Sequence, residues 1–496
     1  MEFTFDIDWI AAISELYLVF IINVLIVYAV IYSTSPHLHY PVLVRNVTWL
    51  SIQTLFFMLV LTTSNMLREA VIFNNLLIVD NFTTLIKTIV LIATIIVLLS
   101  ITEYNKIENF NYFEYVILIL LACSGILLLV SSYDLISLYL ALELQSFCLY
   151  ILACLKRTSE FSTEAGLKYF ILGAFSSGFL LFGCSLVYGF TGTTNFEQLF
   201  HIFTGIKESS LFYNIIIIVG FVFVTIGLLF KLAVAPFHLW IPDVYEGAPT
   251  SIVTFFAIVP KIALIGLLVR LLFYVFYNLF LPWEEMLILC AIFSILIGTF
   301  GALIQKKIKR LIAYSSIAHA GYILIGISCG SLEGIYAAFF YAVIYMVMTI
   351  LTFTVLLSVR TRDNNNKIKY LNDLAGLHLS NLPLSLVFAI TFFSMCGIPP
   401  LAGFFSKLFI FFAALNMSMY SLAIFAALMS AIACFYYLRI IKIMFFDKSG
   451  SGTILLSVDK EKSLILSSCS LFLIAFFFWP TPLTLLIHNG ILCLCL

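Results

Sequence analysis

Charged residues are scarce in this chain. Only 10% of its 496 residues are charged and 63% are hydrophobic, whereas a soluble domain averages about 25% charged and about 45–50% apolar residues. That composition excludes a globular enzyme with a polar surface. The 25 basic and 25 acidic residues give a net charge of zero, so the chain lacks the positive excess that binding to nucleic acid requires.

Metal-binding cysteine motifs and a basic leader are also missing. The 11 cysteines are mostly spread one to a hydrophobic segment, and no CxxC pair occurs. Iron–sulfur and zinc sites need clustered ligands, so we expect no metal or redox cofactor in this chain. The acidic start, MEFTFDID, is neither a signal-peptide n-region nor an Arg-rich transit peptide. We therefore expect synthesis in a bacterium or inside the organelle that uses the protein.

Long apolar segments are what the chain has in abundance. Because about 20 apolar residues cross a bilayer, we predict an all-α polytopic membrane protein of about fourteen spans, at residues 9–33, 48–66, 81–102, 113–131, 133–155, 164–190, 211–241, 249–276, 285–305, 310–329, 334–359, 382–415, 418–443 and 463–488. Loops after odd-numbered spans carry fifteen Lys and Arg residues, and loops after even-numbered spans carry two, Arg68 and Lys207. The positive-inside rule puts the odd loops in the cytosol or matrix and both termini on the opposite side.

Two spans, 211–241 and 382–415, are too long for one straight helix and contain prolines: Pro236 in the first, Pro399 and Pro400 in the second. Proline removes an amide donor and clashes with the preceding turn, so we predict two broken helices. The backbone groups that each break frees must face protein or a wet cavity. The two broken spans lie five apart in the chain, as spans 7 and 12, so the two helices run in opposite directions, as in an inverted repeat.

Five ionisable residues lie near the middle of their spans: Glu143, Lys231, Lys261, His319 and Lys407. A charge at this depth costs at least about 2.5–3.5 kcal/mol, so these residues should pair or face a cavity. Burial disfavours a charged lysine, and a nearby glutamate favours it. Lysines balanced in this way suit a proton relay; the alternative is a set of ion pairs that only fix helix packing.

His319 and two further residues have open interpretations. For His319, a hydrogen-bonded core histidine is as consistent with the sequence as a relay group. His238, two residues after Pro236, either lines the first break or packs there. Asp134, at the start of the span that carries Glu143, is a candidate supporting residue.

Other basic residues lie nearer to span ends. We expect Lys168, Arg270, Arg439 and Lys442 to extend to the interface. Lys87 lies about 10 Å inside its span; we expect it to reach the surface, with a functional role as the alternative. Lys and Arg near span ends should hold anionic lipid head groups, such as those of cardiolipin in a mitochondrial membrane.

Four long motifs carry a family resemblance. They are LYLALELQSF at 138–147, STEAGLKYFILGAFSSG at 162–178, FKLAVAPFHLWIPDVYEGAPT at 230–250 and GIPPLAGFFSKLFIF at 397–411. Together they resemble the antiporter-like, proton-translocating membrane subunits of respiratory complex I, the NADH:ubiquinone oxidoreductase. They are most similar to the branch that contains mitochondrial chain 2 and bacterial subunit N.

The resemblance implies four segments in the chain. Spans 4–8, residues 113–276, would form a first inverted repeat, and spans 9–13, residues 285–443, a second. Residues 1–112 would be an N-terminal three-helix segment, and residues 444–496 would contain the C-terminal helix.

The resemblance also implies roles for four of the deep residues. The family's glutamate on span 5 falls on Glu143, and its lysines on spans 7, 8 and 12 fall on Lys231, Lys261 and Lys407. The Glu143–Lys231 pair would open and close, Lys261 would relay the proton, and Lys407 would exchange it with the other side. These residues would move protons while quinone is reduced elsewhere in the complex.

A subunit of this kind belongs to a redox enzyme but contains no redox site. FMN, the iron–sulfur clusters and ubiquinone would be bound by other subunits. Its partners would be other membrane-arm subunits, above all other antiporter-like chains, and lipids. The location implied is the mitochondrial inner membrane, or the inner membrane of a bacterium.

Two other functions are compatible with the same features. A free-standing cation/proton antiporter would share the fold and the lysines, but a sodium site usually needs several buried carboxylates, and Glu143 is the only one near mid-span. A structural subunit with fixed ion pairs is the other alternative.

Overall fold

The computed structural model describes residues 8–33, 40–65, 69–108, 112–205, 211–360, 368–447 and 457–493. Within these ranges the chain is almost entirely helical, and twelve helices are long and apolar enough to cross a membrane. Phe20, Phe175 and Leu428 on outer helices are 65%, 64% and 63% exposed, which suits contact with lipid or with a partner. The predicted helical membrane fold is confirmed, while the count of fourteen spans stays a prediction.

Part of the predicted orientation rests on residues outside the described ranges. These are both terminal segments and five loop residues: Arg68, Lys207, Arg362, Lys367 and Lys448. The placement of the termini therefore stays a prediction.

The described part of the N-terminal segment contains three long helices and a short hairpin. The helices are α1 (Ile13–Ser33), α2 (Tyr40–Ser64) and α3 (Asn81–Ile107), and the hairpin pairs β1 (Ala70–Ile72) with β2 (Leu77–Val79) in antiparallel register. Helix α3 begins after Asp80, whose side chain accepts a 2.7 Å hydrogen bond from the Thr83 amide. This N-cap satisfies a donor that the first helical turn leaves free.

Seven helices follow up to residue 270: α4 (Glu114–Ser131), α5 (Leu135–Ala153), α6 (Glu160–Thr191), α7 (Phe196–Gly205), α8 (Leu211–Leu232), α9 (Trp240–Gly247) and α10 (Thr250–Arg270). Every residue of α10 is buried, as expected of a helix that is apolar on all faces. A single π-helical turn, Leu271–Val275, extends it.

The next seven helices are α11 (Phe280–Ile304), α12 (Ile308–Ser328), α13 (Leu332–Ser358), α14 (Leu377–Ser380), α15 (Leu382–Cys396), α16 (Ala402–Asn416) and α17 (Tyr420–Phe446). Helices α12 and α13 are almost wholly buried, and α13 packs against α10. These three helices form the centre of the protein. The predicted division into two inverted repeats stays a prediction.

The last predicted span, 463–488, is not one helix in the structure. It is divided into α18 (Lys460–Ala475) and α19 (Thr481–Leu492). Pro480 and Pro482 lie at the start of α19, where the missing amide hydrogen of proline is tolerated. The expectation of a continuous helix was wrong because it overlooked these prolines.

Both predicted helix breaks are confirmed. Helix α8 ends before Pro236 and continues as α9, and α15 ends before Pro399 and Pro400 and continues as α16. At each break the residue after the helix has a left-handed backbone: Ala233 with φ 59° and Gly397 with φ 84°. In each, a cis peptide bond precedes the proline three residues later.

The backbone hydrogen bonds at the two breaks also correspond. The Val234 amide donates to the Leu229 carbonyl at the first break, and the Ile398 amide donates to the Phe393 carbonyl at the second. These wrapped-back bonds close the last turn of each half-helix. The remaining freed carbonyls need side-chain donors, and these donors lie in the candidate site.

Candidate functional site

Lys231 lies in the last turn of α8, beside the first break. Its Nζ donates a 2.8 Å hydrogen bond to the hydroxyl of Tyr150 on α5 and lies 5.2 Å from that ring's centroid. Glu143 is on the same helix as Tyr150, two turns earlier, and is partly buried. No ion pair within 4.0 Å joins Glu143 to Lys231 in the described structure. The immediate partner of Lys231 is therefore a tyrosine.

Lys261 lies in the middle of α10 and is only 7% exposed. In the described ranges its Nζ has no hydrogen-bond partner; the nearest aromatic contact is the ring of Tyr345 on α13, 5.6 Å from the amine. Lys261 lines two small cavities of about 10 and 20 Å³. Lys231 lines the first and Tyr345 the second, and each cavity is about the size that one water molecule needs.

His319 on α12 is buried and its ring lies near four tyrosines. Its Nδ1 is 2.6 Å from the hydroxyl of Tyr341, and its Nε2 is 3.0 Å from the hydroxyl of Tyr437. The Tyr345 ring lies 4.8 Å from the imidazole, between centroids. A neutral imidazole donates from one nitrogen and accepts at the other, so one tyrosine donates to His319 and the other accepts from it.

Lys407 on α16 is buried at the second break. Its Nζ donates to the carbonyls of Met395, at 3.0 Å, and Cys396, at 2.8 Å, and lies 5.6 Å from the centroid of the Tyr322 ring. These carbonyls end α15, so the amine occupies the negative end of that half-helix. A Cβ added at Gly397 would lie 3.0 Å from Lys407 Cδ, so the glycine leaves room for the lysine stem.

The first break uses a different donor. The indole Nε1 of Trp240 donates 2.9 Å to the Phe230 carbonyl, and its ring stacks on Tyr169 with centroids 4.6 Å apart. His238 lies in the turn between α8 and α9 and is buried; among the described residues its Nδ1 has no partner. The Phe230 carbonyl also accepts a 3.0 Å hydrogen bond from the Ala233 amide, so it does not need Lys231 as a donor.

Asp134 is a structural cap. It precedes α5 and accepts hydrogen bonds from the Ile136 amide, at 2.7 Å, and the Thr194 hydroxyl, at 2.8 Å. The structure thus places it at the end of the span, away from the mid-span lysines.

Four of the predicted residues form a series. Lys231 and Lys261 share a cavity, and Lys261 and His319 both lie near the Tyr345 ring. Tyr341 contacts both His319 and Tyr322, the ring beside Lys407. Glu143 stands at the Lys231 end without a direct contact. The arrangement can hold and pass protons between groups that are themselves shielded from bulk solvent.

Two basic residues expected to reach the surface are instead buried in ion pairs. Arg270 pairs with Asp80, and their side chains are 4% and 13% exposed. Lys87 pairs with Glu15, and their side chains are 4% and 10% exposed. The expectation was wrong for these two residues because an acidic partner that is distant in the sequence could not be predicted from it. Lys168, in contrast, is 44% exposed and pairs with Glu164 and Asp243.

The sequence does not predict the aromatic partners, which are Tyr150, Tyr341, Tyr345, Tyr437 and Trp240. Tyr and Trp in an apolar helix carry a polar group that usually finds a partner when buried. That property was the available signal, but the chain has 25 Tyr, and their spacing does not tell which ones meet a lysine or histidine.

Comparison with known proteins gives consistent matches. The family model described as NADH:quinone oxidoreductase/Mrp antiporter, TM, matches residues 132–474. NADH-ubiquinone oxidoreductase chain 2 of Marchantia polymorpha is 46% identical over 99% of this chain and 100% of its own length. NADH-quinone oxidoreductase subunit N of Paramagnetospirillum magneticum is 42% identical over 88% of this chain and 90% of its own length.

A solved structure also matches. A chain of respiratory complex I from Thermus thermophilus superimposes with a TM-score of 0.77 at 27% identity, over 95% of this chain and 98% of that chain. The likeness therefore extends beyond the four motifs to nearly the whole fold.

Proposed function

Because the chain belongs to the family of membrane subunits shared by NADH:quinone oxidoreductase and Mrp antiporters, we propose that it is a proton-translocating membrane subunit of an NADH:ubiquinone oxidoreductase. The names of its relatives support this assignment. The enzyme's redox reaction would take place in other subunits, which would bind FMN, the iron–sulfur clusters and ubiquinone. This chain would couple to that reaction by moving protons.

One observation carries the mechanism: the series of titratable groups from Lys231 through Lys261 and His319 to Lys407. Each step along it is bridged by a shared cavity or by an aromatic side chain. A charge held by any of these groups raises the free energy of placing a like charge on its neighbour. Protonation at one end therefore favours proton release further along.

The tyrosines supply hydrogen bonds that survive these changes. A hydroxyl accepts from an ammonium and donates to a neutral amine, so Tyr150 can stay bonded to Lys231 in both protonation states. At His319, Tyr341 and Tyr437 fix the ring by both nitrogens. Glu143 would act on Lys231 through space, favouring its charged form.

The protein would work within a larger membrane assembly. We propose other antiporter-like chains as its direct neighbours and anionic lipids, cardiolipin included, at its loop ends. The mitochondrial inner membrane is the proposed location, with a bacterial inner membrane as the alternative.

The proposed function is tested by replacing Lys231 with Ala in the assembled complex. Proton translocation per NADH oxidised should fall, while the complex still assembles. Lys106→Ala is the control, because the Lys106 side chain is 65% exposed and forms an ion pair with Glu103 in the last turns of α3. Unchanged pumping by the Lys231 variant would contradict the relay.

A native gel separates this function from that of a lone antiporter. Membranes solubilised in mild detergent are stained for NADH dehydrogenase activity, and peptides of this chain are sought by mass spectrometry. We expect them in the large stained band. Peptides found only at small, unstained positions would support the free-standing cation/proton antiporter instead.

A further inference from the structure

A basic cavity opens at the loop ends of the central helices, away from the lysine series. It has a volume of about 330 Å³, and its lining includes five basic residues, Lys156, Lys307, Lys309, Arg360 and Lys369, and one acidic residue, Glu246. Lys307 and Arg310 both pair with Glu246, so its charge is already compensated. The predicted sidedness puts this end at the cytosol or matrix.

Three helix N-termini meet at the same cavity. The residues before α6, α10 and α12 are Ser159, Pro249 and Lys307, and all three line it. None of them caps its helix with a side-chain hydrogen bond. Each helix therefore directs the positive end of its dipole, equivalent to roughly half a charge, toward the cavity. Helix α6 has an acidic residue, Glu160, in its first turn, whereas α10 and α12 have none there.

Arg360 gives a second and independent indication of a ligand. Its side chain is 3% exposed; Nη1 pairs with Glu108 at 2.8 Å and the guanidinium lies 4.5 Å from the centroid of the Tyr104 ring. In the described part of the chain, Nη2 has no hydrogen-bond partner. Glu108 also pairs with Lys156, at 3.6 Å.

We propose that the basic cavity binds a phosphate group of an anionic ligand. Phosphate matches both the forked geometry of arginine and the amides of a helix N-terminus. The lysines at the rim of the cavity attract a phosphate as point charges on flexible stems, so their contribution does not depend on exact geometry. Phe161, Ile308 and Leu356 also line the cavity, so the phosphate of a phospholipid would find apolar surface beside its charge, whereas a soluble phosphate would use the polar groups alone.

The test uses the purified, delipidated complex that contains this chain. Binding of phosphatidylglycerol is measured by native mass spectrometry, with phosphatidylcholine as the neutral comparison and inorganic phosphate, at matched ionic strength, as the soluble competitor. The readout is binding, so its result does not depend on whether the chain pumps protons.

Lys369→Gln is the main variant, because Lys369 is exposed and its loss should not impair folding. We expect about fivefold weaker binding of phosphatidylglycerol, the effect of one basic residue near a membrane surface. Arg360→Gln should weaken it at least as much. The matched control is Lys106→Gln, which removes an exposed lysine that does not line the cavity and should leave binding unchanged.

The outcomes are distinct. Selective retention of phosphatidylglycerol that inorganic phosphate does not displace supports the site and assigns a lipid; displacement by inorganic phosphate supports the site and assigns a soluble ligand. Binding by Lys369→Gln that equals both the wild type and the Lys106→Gln control overturns the proposal, even if the Arg360 variant fails to assemble.

Discussion

The Nζ of Lys231 and the hydroxyl of Tyr150 are joined by a 2.8 Å hydrogen bond between α8 and α5. Family resemblance pointed to Glu143 as the lysine's partner, and that residue lies two turns away from Tyr150. A carboxylate can only accept a hydrogen bond, whereas a hydroxyl can accept or donate. The tyrosine can therefore remain bonded to the lysine while the lysine gains or loses a proton.

Replacing Tyr150 with Phe should impair proton translocation. The change removes the hydroxyl that accepts from Lys231, and losing a hydrogen bond to a charged group costs about 1.5–3 kcal/mol. The charged form of Lys231 then becomes harder to populate. Proton uptake per NADH oxidised, measured in reconstituted vesicles, should fall while the complex remains assembled.

Tyr139→Phe is the control for that variant. Tyr139 is on the same helix and is partly buried, but it does not contact Lys231. Equal pumping by the Tyr150 and Tyr139 variants would show that the hydrogen bond plays no part in translocation.

Tyr341→Phe should lower translocation through His319. It leaves Nδ1 of a fully buried imidazole without its 2.6 Å partner, at a cost of about 1–3 kcal/mol. The ring then has one fixed nitrogen in place of two, so its orientation is no longer set. Tyr314→Phe, on the same helix as His319, is the control; pumping per electron should drop for the first variant and stay unchanged for the second.

Gly397→Ala should damage the second break. The residue has φ 84°, and its Cβ would lie 3.0 Å from Lys407 Cδ. A left-handed alanine costs about 1–3 kcal/mol, and the contact would push the lysine off the α15 carbonyls. Thermal unfolding should begin at a lower temperature, and pumping should fall.

The reciprocal change, Ala233→Gly, tests the first break. Ala233 already adopts φ 59°, so glycine removes a steric penalty while adding freedom to the unfolded chain. These effects oppose each other and should leave stability within about 1 kcal/mol of the wild type. A large loss of stability in this variant would contradict the backbone equivalence of the two breaks.

Arg270→Met should strongly destabilise the protein. It leaves the carboxylate of Asp80 buried without its cation, which costs about 3–5 kcal/mol. Adding Asp80→Asn should recover much of that loss, because asparagine can still cap α3 and carries no charge. The amount of assembled complex on a native gel measures the loss in the single variant and the recovery in the double variant. If the double variant assembles no better than Arg270→Met, the broken ion pair is not the cause of the loss.

The breaks were predictable because their cause is local. Pro236, Pro399 and Pro400 remove amide donors wherever the chain folds, and the span lengths showed that each helix had to be interrupted. The depth of Lys261 and Lys407 followed from position within a span. The same reasoning, applied to Pro480, would also have divided the last span.

The partners were not predictable because their cause is tertiary. Tyr341 and Tyr437 meet His319 from helices α13 and α17, and Asp80 meets Arg270 across 190 residues of sequence. Nothing in the local pattern distinguishes these residues from other tyrosines or from an ordinary helix cap. Helix packing decides which polar groups face each other.

The two half-helices end under different chemical control. At α8 the Phe230 carbonyl accepts hydrogen bonds from the Ala233 amide and the Trp240 indole, two donors that keep their protons near neutral pH. At α15 the last carbonyls accept hydrogen bonds from Lys407, and these bonds weaken when the ammonium becomes a neutral amine. The first end is thus permanent, and the second is conditional. The strength of the hydrogen bonds that connect α16 to the end of α15 therefore depends on whether Lys407 carries its extra proton.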